Sequence, residues 1–282
     1  MSAMAQHGIE MILMRRLASQ LTMPILLVDP RGDLVFFNAA AAAVLGRRFE
    51  DTGTIVRGEW SSVFRPANED GSLVKREAMP LFVATEERRP SYLASWVRGL
   101  DGVARCIEGI AFPLIGQGDR MLGAVGIFWE PDAPPAIGTP HAGPSVDLAS
   151  PGGDRPVELL LMRQLASYLR TALFLMGPDE TLLYFNEPSE ALLGRRFEEV
   201  GPLNAEQWSA LLHAEDDAGA PIEIEQRPIV VALRRQRPSY KRFAIRGFDG
   251  TRHRVEGLGF PLVDCARRQL GAVGIFWKRA AS

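Results

Sequence analysis

Few side chains in this 282-residue sequence are placed to do covalent or metal chemistry. The four histidines and two cysteines are scattered along the chain and form no close cluster. Nucleophilic catalysis needs a Ser or Cys beside a base and an orienting acid, and structural zinc needs ligands at short, regular spacings. The sequence shows neither arrangement. We therefore expect a protein that is not an enzyme and has no metal site.

Polar and aromatic residues that recur at one fixed offset are the better candidates for a functional site. A few such groups suffice to orient a small molecule in an otherwise apolar pocket. The candidate ligand-binding residues are Arg47, Trp60, Tyr92 and Glu108, with their equivalents Arg195, Trp208, Tyr240 and Glu256. The alternative is a structural role, such as a cross-strand ion pair between Arg98 and Glu108.

The fixed offset reflects an internal duplication. The string LGAVGIFW occupies residues 122–129 and again 270–277, and a shift of 148 residues (270 minus 122) aligns 10–129 with 158–277 without a gap. About 50 of these 120 aligned residues are identical. Residues 130–156 are rich in Pro, Gly and small polar residues, which is typical of a flexible linker. We predict two domains, 9–129 and 157–278, joined by that linker.

Each copy has the same order of predicted elements. An amphipathic helix with leucines at i, i+4 and i+8 precedes a β-hairpin. Next come a helix that Asn38 caps and Gly46 ends, a group of short helices, and three long strands. This order predicts an α+β fold with a five-stranded antiparallel sheet and helices on one face. The candidate interface residues are Leu13, Leu17, Leu21, Trp129, Leu161, Leu165, Leu169 and Trp277.

Two glycines inside the last strand of each copy indicate a close approach of another group. Gly123 and Gly126 have opposite parity, so they thin both faces of that strand. We favour the interpretation that helices, such as the N-terminal helix, pack tightly against that strand. The alternative is that the missing side chains leave room for a ligand.

The third predicted strand differs between the copies on both of its faces. The residues that change are Leu93, Ser95 and Trp96, which are replaced by Lys241, Phe243 and Ala244. Residues that alternate along a strand point to opposite faces of the sheet. The two copies could therefore differ both in ligand and in partner.

These elements resemble the PAS domain family over about 120 residues in each copy. The residues that carry the resemblance are Asn38 and Asn186 at the start of a helix, Gly46 and Gly194 after it, Asp101-Gly102 and Asp249-Gly250 in a hairpin turn, and Phe112-Pro113-Leu114 and Phe260-Pro261-Leu262 near a strand end. The resemblance implies a sensory or interaction module, commonly dimeric. It also implies a pocket between the sheet and the helices.

The resemblance raises the question of a bound cofactor. Flavin-binding light sensors of the family need a reactive cysteine after the helix that follows the second strand, where this chain reads GRRFED and GRRFEE. Haem-binding members use an axial histidine on a helix, and His213 in the predicted helical region 208–213 is the candidate. A surface histidine is the favoured interpretation. The cofactor is unknown and we expect none, with a haem- or flavin-type sensor as the weakest alternative.

Charge and hydropathy limit the partners. A net charge of −2 gives no field that attracts nucleic acid or an anionic membrane. No run approaches the roughly 18 apolar residues that a membrane span needs, and no secretory leader is evident, so we expect a cytoplasmic protein. We predict a sensory or regulatory protein that binds a small ligand, a protein signalling partner or both. It would act as a homodimer or through pairing of its two repeats; a ligand-free scaffold is the alternative.

Overall fold

The computed structural model describes residues 9–131 and 157–278. The chain divides into two compact units, Met1–Ala133 and Pro134–Ser282. The predicted linker at 130–156 lies outside the described residues except for its first two positions, so the predicted domain limits stay a prediction. In the described part of the chain, no helix is both long and apolar enough to cross a membrane.

The first unit is an antiparallel sheet with short helices. Its helices are α1 (Ile9–Gln20), α2 (Ala39–Leu45), α3 (Phe49–Thr52), α4 (Trp60–Phe64) and α5 (Pro80–Glu86). Its strands are β1 (Ile25–Val28), β2 (Leu34–Phe37), β3 (Ser91–Arg98), β4 (Ala104–Ile115) and β5 (Met121–Trp129). The strand order is β2-β1-β5-β4-β3, so the first and last strands along the chain pair in the middle of the sheet. The predicted α+β fold is confirmed.

The second unit repeats this order and adds one strand. Its helices are α6 (Val157–Tyr168), α7 (Glu187–Leu193), α8 (Phe197–Val200), α9 (Ala205–Leu211) and α10 (Pro228–Arg235). Its strands are β6 (Ala172–Met176), β7 (Leu182–Phe185), β8 (His213–Glu215), β9 (Ser239–Arg246), β10 (Arg252–Val263) and β11 (Gln269–Lys278), in the order β7-β6-β11-β10-β9-β8. This sheet therefore has six strands where five were predicted.

The extra strand corrects the prediction for His213. Helix α9 ends at Leu211, and the chain then pairs with the edge of β9, where Ala214 lies opposite Ile245. In the first unit the same place holds only a single bridge between Ala67 and Trp96. The prediction of a helical His213 was wrong because edge pairing with β9 prevails over local helix propensity there.

A buried asparagine joins three elements in each unit. The Asn38 side chain accepts hydrogen bonds from the backbone N–H groups of Ile25 (3.1 Å) and Ala41 (2.9 Å). Its amide donates to the carbonyls of Ala18, Leu21 and Met23. Asn186 makes the equivalent contacts, and its side chain is also bonded by Ser189 Oγ. The predicted helix cap is therefore confirmed, and it also fixes the end of α1 against β1.

The first glycine of the repeated string is required by the conformation of the backbone. Gly123 has a φ of +135° and Gly271 one of +143°, beside a register shift in the pairing of β4 with β5 and of β10 with β11. A Cβ on Gly123 would collide with the carbonyl oxygen of Val28, and one on Gly271 with that of Met176. The nearest group at this position is the backbone of the neighbouring strand rather than a helix, and a Cβ on Gly123 would also lie 2.9 Å from Cε of Met11 in α1.

Candidate functional site

The first unit contains an apolar cavity of about 130 Å³ between the sheet and the short helices. Trp60, Phe64, Met79 and Leu81 border it from the helical side. The sheet side is formed by alternate residues of β3, β4 and β5, together with one residue of β1. These residues are Leu93, Ser95, Val97, Ile107, Gly109, Ala111, Gly126, Phe128 and, from β1, Leu26. None of the described residues that line this cavity carries a charge.

The cavity exists because a small residue stands at a critical place on β3. Ser95 lines the cavity and lies opposite Ile107, two residues before Gly109 in β4. An added Cβ on Gly109 would meet nothing closer than Phe128 Cβ at 3.6 Å. In the second unit the equivalent of Ser95 is Phe243, and a Cβ on Gly257 would lie only 2.7 Å from its ring. The Phe243 ring therefore occupies the space that stays open above Gly109.

Two further aromatic rings pack around Phe243. Phe174 replaces Leu26, and its ring centroid lies 4.7 Å from that of Phe276. The Phe243 ring meets Phe276 edge-on at 6.0 Å. All three residues are buried in one hydrophobic cluster of the second unit. The second copy thus fills with its own side chains the region that is a cavity in the first.

The helix above the sheet also lies closer in the second unit. A Cβ on Gly259 would collide with the carbonyl of Pro228, the first residue of α10. The first unit has Ala111 at this position, so its methyl group keeps the start of α5 further from β4. This single methyl group helps to keep the first cavity open.

A charged residue borders the same region in the second unit. Arg227 replaces Met79, and its guanidinium carbon lies 5.0 Å from the ring centroid of Trp208. Burial lowers the pKa of Arg227, against the opposing influence of Glu223 and Glu225. Nε and Nη1 of Arg227 and Nε1 of Trp208 are buried without a hydrogen-bond partner. In the first unit the indole N–H of Trp60 instead donates to the carbonyl of Ile55 at 3.4 Å.

The predicted ligand-binding residues separate into three places. Trp60 lines the cavity, and its equivalent Trp208 is buried in the second core. Arg47 and Arg195 are exposed after α2 and α7 and do not reach the cavity. The tyrosine and glutamate pairs lie on the opposite face of each sheet, because they alternate with residues that face the helices.

These tyrosines and glutamates form a cluster with the terminal tryptophan of each domain. Tyr240 donates to Glu256 at 2.8 Å, and its ring lies 6.3 Å from that of Trp277. Burial raises the pKa of Tyr240. In the first unit Tyr92 and Trp129 are 6.5 Å apart, and Trp129 lies opposite Glu108 in the strand register. The repeat therefore brings three of the candidate side chains together, away from the cavity.

The alternative prediction of an ion pair between Arg98 and Glu108 was wrong. Arg98 lies opposite Ala104 and donates to the carbonyl of Gly102 at 3.1 Å, whereas Glu108 lies opposite Ala94. The two charged residues stand at different levels of the same strand pair. Periodicity placed both on the strands but did not fix their register.

The candidate interface residues are mostly buried. Leu17, Leu21, Leu165 and Leu169 are at most 4% exposed, whereas Leu13 and Leu161 are half-buried. Trp129 is buried and Trp277 half-buried. Ile12 and Leu160 are the more exposed apolar residues of the two helices, at 57% and 47%. An interface role for these residues stays a prediction.

The first cavity does not fit a flavin or a haem. About 130 Å³ is well below the roughly 300–1,000 Å³ of ordinary small-molecule sites. No cysteine or histidine is among the described residues that line it, and His213 is exposed on β8. The site can hold only a molecule much smaller than either cofactor.

Several solved structures are similar to this chain. The PAS domain of BvgS from Bordetella pertussis is 17% identical over 43% of this chain and 84% of its own length, with a TM-score of 0.29. The PAS domain of nitrogen regulation protein NR(II) from Vibrio parahaemolyticus is 17% identical over 42% and 98%, with a TM-score of 0.32. An RNA-binding light-oxygen-voltage receptor is 15% identical over 91% and 95%, with a TM-score of 0.33.

One family model matches part of the sequence. No curated protein matches the sequence. A family model described as a PAS domain matches residues 13–79, which run from α1 to the residue before α5. The second copy repeats that region without a gap. PAS domains are sensory and signalling modules, and residues 13–79 of this chain are similar to them in sequence.

Proposed function

We propose that this chain is a non-catalytic sensory protein whose first domain binds a small, uncharged, apolar molecule. The observation that carries the proposal is the cavity of about 130 Å³ beside Ser95. Empty apolar cavities of roughly 150 Å³ lined by Leu, Ile and Phe stay dry and take up benzene or xenon. A guest of one aromatic ring or less matches this volume.

The lining decides the chemical class of the guest. A charged molecule would lose its hydration and find no counter-charge, because no charged side chain borders the cavity. The Ser95 hydroxyl offers one hydrogen bond to a guest with a single polar atom. An uncharged molecule with at most one such atom therefore fits best.

The cavity wall offers a route for a signal. Leu45, the last residue of α2, borders the cavity, and α2 is capped by Asn38. Asn38 in turn bonds the carbonyl of Ala18 in α1 at 2.9 Å. A guest that favours one packing of α2 on the sheet would bias the position of α1 through these bonds. We propose that α1 passes the change to a protein partner, a second copy of the chain or the other repeat, in the cytoplasm.

A ligand-free interaction scaffold is the second candidate function. The filled core around Phe243 favours this role for the second domain. In this arrangement one domain senses and the other supports pairing or partner binding.

The test is binding of benzene to the full chain, measured by ligand-observed saturation-transfer NMR and by the shift of the thermal midpoint. Ser95→Phe places the residue of the second copy in the cavity and should abolish binding. Ala94→Phe is the matched control, because Ala94 is exposed on the other face of the same strand and its variant should bind normally. Absence of binding to the wild-type chain, or equal binding by Ser95→Phe, would contradict the proposal and favour the scaffold.

A further inference from the structure

The second copy contains a half-buried arginine, Arg227, with two guanidinium nitrogens that are enclosed without a hydrogen-bond acceptor. Trp208 is only 4% exposed, and the Arg227 guanidinium lies against its ring. Three nitrogen atoms of this pair, two from Arg227 and one from Trp208, are buried without a partner. All three are donors, so this place lacks an acceptor.

Charge compensation of Arg227 by the protein is incomplete. Glu223 and Glu225 raise the pKa of Arg227 by electrostatic attraction without a hydrogen bond. Burial has the larger effect and lowers this pKa. A partly buried guanidinium without direct partners is costly, because part of its hydration is lost and nothing replaces it. Nε and Nη1 are enclosed, so an acceptor from outside the chain would reach this guanidinium at Nη2 and stabilise its charge there.

The neighbouring arginines already have carboxylate partners. Arg234 Nη2 lies 2.9 Å from Glu180 Oε2, and Arg246 Nη2 lies 3.4 Å from Glu215 Oε1. Their charges are satisfied on the protein surface. Arg227 is thus the guanidinium in this region that gains most from an added carboxylate.

The Arg227 side chain also borders an open cleft of about 610 Å³, a volume typical of small-molecule sites. Ala214, Ile222 and Ile224 give the cleft an apolar wall. We propose that this cleft binds a small monocarboxylate, with the carboxylate on the Arg227 guanidinium and the apolar remainder against Ile222 and Ile224.

The acidic residues of the cleft limit the charge of its ligand. Glu206, Glu215 and Glu223 border the same space. They repel a polyanion such as citrate, whereas a single carboxylate is matched by the unpaired charge of Arg227. The proposal does not depend on the cavity of the first domain, so either can fail without the other.

The test compares butyrate with its neutral amide, butyramide, by calorimetric titration of the full chain. Butyrate should bind and butyramide should bind at least about tenfold more weakly, the difference that a charge-assisted hydrogen bond gives. Citrate should also bind more weakly than butyrate. Equal affinities for butyrate and butyramide, or tighter binding of citrate, would overturn the proposal.

The variant Arg227→Met introduces the residue of the first copy and should weaken butyrate binding about 10- to 100-fold. It should also raise the thermal midpoint without ligand, since it removes a half-buried cation without direct partners. Arg227→Lys keeps the charge but loses the planar fork, so it should weaken binding even if Arg227→Met folds poorly. Arg235→Met is the matched control and should leave butyrate binding unchanged, because Arg235 is exposed at the end of α10 and does not border the cleft. Unaltered binding by both Arg227 variants would overturn the proposal.

Discussion

The two domains of this chain share about 50 of 120 aligned residues yet differ at the centre of the space between sheet and helices. The first leaves a cavity beside Ser95, and the second fills the same place with Phe243. The α-helices and strands and their order are otherwise the same apart from the short strand β8. In this fold a few positions thus decide between an open and a filled core.

The residues that differ act together. Where the first domain has Ser95, it also has the methyl group of Ala111, which keeps α5 away from β4. Where the second domain has Phe243, it has Gly259, and α10 begins against the strand. Compared with the first copy, the second has a smaller residue at Gly259 and a larger one at Phe243. Aromatic side chains therefore fill the space that is open in the first copy.

The largest expected effect comes from opening the filled core. Phe243→Ser should destabilise the second domain by about 3–5 kcal/mol, the range for removing a buried phenyl ring. Urea unfolding of the full chain measures this loss. Phe243→Leu retains much of the volume and should cost about 1 kcal/mol. A loss below about 1 kcal/mol for the serine variant would mean that Phe243 does not fill this space.

A feature common to both domains should give the next largest effect. Asn38→Ala removes the cap of α2 and leaves the Ile25 N–H without its acceptor, at a cost of about 2–4 kcal/mol. Asn186→Ala should cost the second domain a similar amount. Chemical denaturation of each variant tests this. A marked difference between the two would show that the domains do not share this means of stabilisation.

Filling the open cavity should have a smaller effect in the opposite direction. Ser95→Phe should raise the free energy of unfolding of the first domain by about 0.5–2 kcal/mol, which is usual for a substitution that fills a cavity. Thermal unfolding with Ala94→Phe as the control measures this. A decrease in stability would show that the ring does not fit the space beside Gly109.

The smallest effect concerns the turn between β3 and β4, where the copies differ in the partner of an aspartate. Hydrogen bonds from Arg105, and also from the Val103 N–H, lower the pKa of Asp101 from 3.8 to about 2. Because the folded pKa is depressed, this stabilisation is present above pH 3.8 and is lost as the pH falls through about 2. The effect is small since Asp101 is exposed to solvent.

Arg105→Ala tests the cause of that shift. Carbon-detected NMR titration should show the pKa of Asp101 moving up toward 3.8 in this variant. The equivalent Asp249, whose pKa is lowered mainly by the backbone N–H and the hydroxyl of Thr251, should not change. An unchanged Asp101 titration would assign its shift to the turn backbone alone.

The sequence predicted the fold well because its signals are local. Asn38, Gly46 and the Asp101-Gly102 turn each specify a backbone conformation within a few residues. The pairing of β8 could not be predicted, since its three residues, beginning at His213, gain their structure from the edge of β9. Local patterns do not report such an edge.

The cavity was not predictable because its volume depends on residues from several distant segments. The exchange of Ser95 for Phe243 is visible in the alignment, but only the strand register shows that this position faces the helices. The exchange of Met79 for Arg227 was missed, although a charge in place of a methionine just before a helix is a usable signal. The recurrence of Tyr92 and Glu108 made them candidates instead, but they lie on the face of the sheet opposite the helices.

Crystals of the full chain held under xenon pressure would test the central difference between the domains most directly. Xenon occupies dry apolar cavities of roughly this size without any polar contact. We predict xenon density beside Ser95 in the first domain and none among Phe174, Phe243 and Phe276 in the second. Xenon in both domains, or in neither, would contradict the account of one open and one filled core.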